Sequence, residues 1–129
     1  MLAMTMKKYR QLNDISAYVI AFHLSNYVWQ AVMKWDYAAL RTLGMQFITS
    51  TDSISANIAE GFGRWGKKDR IKFYRYSFGS AYESLDWNEK ARRRHLITEK
   101  QYQHIFSELQ KLPKELNILI KYTKQALSE

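Results

Sequence analysis

Six basic side chains crowd the twelve residues from 64 to 75: Arg64, Lys67, Lys68, Arg70, Lys72 and Arg75. Trp65, Phe73 and Tyr76 are interleaved with them. Cations neutralise phosphates and aromatic rings stack on bases, so this combination suits a nucleic-acid surface. The plainer alternative is a solvated basic face beside ordinary aromatics. A second run, Arg92-Arg93-Arg94, reads as the last turn of a helix, where positive charge favours the macrodipole. It lies about 40 Å from Lys67 along a straight helix, so the two runs form no single patch within one chain.

Catalytic chemistry is poorly provided for. Glu60 could act as a general base, but no second carboxylate or histidine is spaced to accompany it. With small Ala56, Ala59 and Gly61 around them, Asn57 and Glu60 read as polar residues holding a packed junction. His23, His95 and His104 lack any metal-ligand spacing. The chain has no cysteine, hence no thiolate nucleophile, thiolate metal site or disulfide. The run from Gly61 to Gly66 matches G-x-G-x-x-G in letters only, because it follows a helix rather than a strand. The expectation is a protein that binds rather than catalyses, with no catalytic residue, metal, cofactor or small-molecule substrate.

The elements that must position the basic residues are few and long. With 129 residues, one proline and five glycines, the chain has room for one domain and few turns. Apolar spacing predicts four helices, at about 13–34, 37–61, 67–95 and 98–127, in an antiparallel up-down-up-down bundle. Asp36 is placed to cap the second, and Thr98 with Gln101 forms a capping box for the fourth. The stretch from Thr49 to Ser53 competes for backbone hydrogen bonds, yet the apolar period resumes in phase after it, which predicts a continuous helix. The expected seams are Leu40, Leu43, Phe47, Ile54 and Ile58 on helix two, and Ile71, Tyr74, Phe78, Ala81 and Leu85 on helix three. Helix four has Tyr102, Ile105, Leu109, Leu112, Leu116, Leu119 and Thr123, with Pro113 bending but not ending it. Gly79-Ser80 is expected to permit close helix approach.

Helix one carries two apolar stripes, one of Ile15, Val19, Phe22, Trp29 and Met33, the other of Ile20, Leu24, Tyr27 and Ala31. Only one can face the bundle, so the second needs another subunit. Helix three likewise sets Phe73, Tyr76 and Trp87 away from its seam. Ile20, Leu24, Tyr27, Phe73, Tyr76 and Trp87 are therefore the expected oligomer interface, in a heterologous contact that closes into a ring. Ile15 to Met33 contains no charged residue, but Ser16, His23, Ser25, Asn26 and Gln30 argue against a membrane span. Met1 to Arg10 lacks a signal-peptide apolar core, and the expected setting is cytoplasmic. The net charge of +8 is concentrated: residues 64–94 hold ten Lys/Arg against four Asp/Glu.

From Ser53 the chain reads Ser-Ile-Ser-Ala-Asn-Ile-Ala-Glu-Gly-Phe-Gly-Arg, followed by Lys68-Asp69, Phe73-Tyr74, Glu83-Ser84 and Trp87-Asn88-Glu89-Lys90-Ala91. Leu96-Ile97-Thr98-Glu99 and Leu112-Pro113-Lys114-Glu115-Leu116-Asn117 continue the pattern. Over about residues 37–125 this resembles the bacterial four-helix-bundle family first noted as open reading frames inside intervening sequences of 23S ribosomal RNA. The resemblance implies an up-down-up-down bundle, a ring-shaped homopentamer and no established enzymatic activity. It also implies a possible likeness to nucleic-acid-binding accessory proteins of diversity-generating retroelements. One departure counts against a nucleic-acid role for helix two: where many relatives are basic, this chain has Phe47, Ile48, Thr49 and Ser50. The rival expectation is a protein-interaction scaffold whose basic residues only confer solubility.

Overall fold

A computed structural model of the chain describes residues 9–126. The expected end of the last helix at residue 127, and the reading of the first eight residues, fall outside them. Helix α1 spans Ser16–Val32, after a 3-10 turn at Leu12–Asp14 whose Asp14 carboxylate accepts from the Arg10 and Gln11 amides. Helix α2 covers residues 37–62 as an opening turn Tyr37–Ala39, a π-helical segment Leu40–Gly44 and a regular helix Met45–Phe62. Helices α3 and α4 span Lys67–Arg93 and Glu99–Gln125.

The helix ends follow local chemistry. Asp36 accepts from the Ala39 amide at 3.0 Å, and Thr98 and Gln101 form the full capping box. The Ser/Thr-rich stretch stays helical because its hydroxyls turn back on the helix. Ser50 and Thr51 donate to Phe47 O, Ser53 to Thr49 O and Ser55 to Asp52 O. Pro113 sits inside an unbroken α4, with the buried seam in phase on both sides. Helix α3 ends in a Schellman turn. Leu96 N–H donates to Ala91 O at 2.9 Å and His95 takes φ 58°, a left-handed conformation that costs a non-glycine residue about 1 kcal/mol.

Cross-helix bonds fix an antiparallel order. On α3, Ser77 donates to Ile54 O and Ser84 to Ser50 Oγ of α2. Further along, Asn88 reaches Tyr102 O at the start of α4, while Lys67 reaches Lys124 O at its end. The α4 seam is buried throughout, and so is the α2 seam except half-buried Leu40.

Two seams differ from expectation. The buried positions of α3 are Tyr74, Ser77, Ala81, Ser84, Asn88 and Ala91, one step round from the expected line, with Ile71, Phe78 and Leu85 only flanking the core. On α1 the inward face is Ala17, Ala21, Leu24, Val28, Ala31 and Val32, whereas Phe22, Trp29 and Met33 are exposed. Small residues let α1 lie close to its neighbours, which leaves the large ones outside. Gly79 also departs from expectation: a Cβ built there meets nothing within 4 Å, so no helix of its own chain approaches it. A glycine inside a helix costs about 0.5–1 kcal/mol relative to alanine, and the isolated subunit offers no compensating contact.

Candidate functional site

The basic cluster sits where α2 turns into α3, and most of it has structural partners. Lys67 Nζ donates to the carbonyls of Lys124 and Ala126, each at 3.1 Å, placing a cation at the negative end of α4. Arg70 Nε donates to Arg64 O at 2.6 Å and braces the intervening loop. Arg64 pairs with Glu60 at 3.0 Å and Asp69 at 3.6 Å, and Lys72 pairs with Asp69 at 3.1 Å. Arg64 and Lys72 also lie 4.6 and 5.2 Å from the Phe73 ring centroid, so Phe73 has cations where a stacked base would need room. Lys68 is exposed. So is Arg75, whose guanidinium has no ion pair or hydrogen bond among the described residues. The exposed pairs contribute about 0–1 kcal/mol each and could exchange a carboxylate for a phosphate at little cost.

At the other end of the bundle Arg92 pairs with Glu89 and Glu99 and lies 4.4 Å over Tyr102. Arg93 and Arg94 are exposed beside it. Asn57 and Glu60 hold local structure, Asn57 through a bond to Ser53 O and Glu60 through Arg64. The three histidines stand apart, on α1, in the α3–α4 turn and on α4. No cluster of His, Asp or Glu able to hold a metal ion is found among the described residues. No described helix is long and apolar enough to cross a membrane.

The expected interface residues separate. Leu24 is corrected outright: it is 1% exposed, in the subunit's own core, and offers nothing to a second chain. Ile20 and Tyr27 are half-buried against the core, Tyr27 with its ring 4.3 Å from that of His104. Trp87 is also half-buried, donating to Glu83 Oε2 at 3.2 Å beneath the Lys90 ammonium. Phe73 is half-covered, and only Tyr76 stands free, edge-on to it.

Sequence reasoning missed a groove along the outside of α1 and α2. Its upper part encloses about 530 Å³ between Trp29, Met33, Tyr37, Leu40, Met45 and Ile48. Tyr18, Phe22, Ala56 and Ala59 continue it toward the far end. Phe22, Trp29, Met33, Tyr37 and Met45 are 45%, 49%, 46%, 72% and 58% exposed. The signal was present as the first stripe of helix one, with Phe22, Trp29 and Met33, whereas the expected interface was placed on the other stripe, with Ile20, Leu24 and Tyr27. Asp52 stands in the groove wall with no partner for its carboxylate among the described residues. Partial burial raises its pKa above the usual aspartate value. A raised carboxyl pKa favours folding only while the group is protonated, below its unfolded value. That benefit is lost as pH rises through the folded value, so at neutral pH the ionised group is a net cost unless a cation joins it.

A family model described as 23S rRNA-intervening sequence protein matches residues 13–118. No curated protein matches the chain significantly. Among solved structures, a protein of unknown function from the S23 ribosomal protein family of Bacteroides thetaiotaomicron superposes with a TM-score of 0.72. It is 22% identical, and the alignment covers 81% of this chain and 98% of that one, a likeness of fold.

Proposed function

The chain belongs to the 23S rRNA-intervening sequence protein family, and on that premise we propose that it is a non-enzymatic, self-associating bundle that works by binding. One observation carries this reading: five large apolar side chains lie at least 45% exposed on the α1–α2 face. Monomeric proteins rarely leave so contiguous an apolar surface in water. Fully burying one such side chain contributes about 1.5–3 kcal/mol, so completing the burial of five half-covered ones is enough to hold an assembly. The resemblance supplies the number five, and the absence of cysteine accords with a cytoplasmic setting.

The net charge of +8 favours a second reading, in which the assembled bundle offers its cations to RNA or DNA. Arg75, Arg93 and Arg94 are among the exposed cations it would use, while Lys67 and Arg70 are taken up within the chain.

Light scattering at about 10 µM is expected to give a mass several times the 15.3 kDa of one chain, and Trp29→Glu to reduce it toward that value. A wild-type mass of one chain overturns self-association. Fluorescence anisotropy on mixed RNA and DNA tests the second reading. Affinity should fall steeply with added salt, and no binding below about 100 µM at roughly 50 mM salt removes it.

A further inference from the structure

Two outer faces of the subunit match each other in both charge and shape. The first is the α1–α2 groove, apolar in its upper part, where Arg41 joins the lining, and mixed further along, where Ser25, Asn26 and Asp52 join Tyr18 and Phe22. The second is the side of α3 turned away from the core. At 100° per residue, Gly79 points almost directly opposite the buried positions from Tyr74 to Ala91. Arg75, Tyr76, Tyr82 and Glu83 surround it at three- and four-residue spacings. Tyr76 and Tyr82 are exposed, Arg75 has no partner among the described residues, and nothing fills the space over Gly79. The result is a notch framed by two aromatic rings and one unspent cation.

The spacing of opposite charges along the two faces agrees. Asp52 and Arg41 are eleven residues apart on α2; Arg75 and Asp86 are eleven apart on α3. Each interval is about 16 Å of helix, and α2 and α3 run in opposite directions. Neighbouring bundles with parallel axes therefore present the charges in complementary order, with Arg75 toward Asp52 and Asp86 toward Arg41. The heights also correspond. Ser77 bonds to Ile54 O and Ser84 to Ser50, which sets Asp52 level with Ser80 and Ala81. Both charge pairs are then offset in the same sense by five to six residues, about 8 Å along the axis, a gap that extended arginine side chains span without one bundle sliding along the next. Asp86 already holds Lys90 in an exposed i,i+4 pair, an arrangement too weak to prevent exchange.

We infer that the α1–α2 groove receives the Gly79 face of α3 from a second copy of this chain, with Arg75 of that copy pairing with Asp52. This rests on the self-association proposed above and adds the two surfaces and the charge pair that orient it. The contact joins two different faces, so it is heterologous and passes from copy to copy until a ring closes. It also accounts for the glycine that the isolated subunit does not use, since a side chain there would hold the neighbouring bundle away.

Charge exchange in the full chain tests this, read as the dissociation constant of the assembly by sedimentation velocity. Asp52→Arg and Arg75→Asp, both at exposed positions, are each expected to weaken association about tenfold or more by setting like charges face to face. The double variant Asp52→Arg/Arg75→Asp should recover most of that loss. Gly79→Gln, which adds a helix-favouring side chain where the subunit has open space, should weaken association without lowering the subunit's helicity. A double variant no better than the two single ones, or single variants that assemble as the wild type does, overturns the pairing while leaving self-association intact. A wild-type chain that stays monomeric at about 100 µM overturns self-association itself, and with it this contact.

Discussion

Gly61→Ala is expected to destabilise the subunit by about 2–3 kcal/mol and to lower the thermal midpoint by roughly 10 °C. Two effects of opposite sign compete at this position. Replacing a helical glycine by alanine ordinarily adds about 1 kcal/mol of stability through backbone entropy. Here the new Cβ would stand 2.7 Å from Tyr74 Cε1 and 2.9 Å from Arg70 O. The Tyr74 ring is almost wholly buried, and the Arg70 carbonyl belongs to the first turns of α3, so neither moves independently. Relief requires the end of α2 to retreat from the start of α3, which disturbs the loop that Arg70 and Arg64 brace. The clash therefore outweighs the entropy gain. Thermal unfolding followed by circular dichroism at fixed protein concentration checks this, and a midpoint within about 2 °C of wild type would show the junction yields more easily than argued.

The Ala-Asn-Ile-Ala-Glu-Gly run was legible in the sequence as a packed junction, and Gly61 gives that reading its physical content. Helix α4 was legible for a different reason. Its core is Leu and Ile at strict seam positions, and its capping box lies within four residues. Helix α3 was misread by one position because three of its six buried residues are Ser77, Ser84 and Asn88, which hydropathy assigns to the surface. What makes them tolerable inside is invisible locally. Ser84 finds Ser50 thirty-four residues away, and Asn88 finds a carbonyl of α4. Helix α1 failed in the opposite sense, since Phe22, Trp29 and Met33 carry far more apolar area than Ala17, Ala21 and Ala31. Close packing selected the small residues for the inside, because a helix with small side chains can approach its neighbours more closely. The basic cluster was plain as a run of letters, but its partners were not. Lys67 is fixed by carbonyls fifty-seven and fifty-nine residues further on.

Phe47→Ala is expected to be the most damaging single core truncation of α2, costing about 3–5 kcal/mol. Phe47 is fully buried and follows shortly after the π-helical segment, at a level where α1 also contributes to the core. Its carbonyl, which accepts the Ser50 and Thr51 hydroxyls, survives the substitution, so the change isolates the ring. Trp65 is the matched comparison: larger, yet 96% exposed, and Trp65→Ala should alter stability by less than about 0.5 kcal/mol. Domains of this size carry only about 5–15 kcal/mol in total, so Phe47→Ala removes a large fraction of it. Self-association adds a further consequence. Copies that bind the folded state draw the equilibrium toward it, so the variant's apparent stability should rise with protein concentration. Chemical denaturation at about 1 and 100 µM distinguishes the cases. Curves for both variant and wild type that move to higher denaturant at the higher concentration tie the stability of the fold to assembly, whereas concentration-independent curves for both would show that each bundle stands alone.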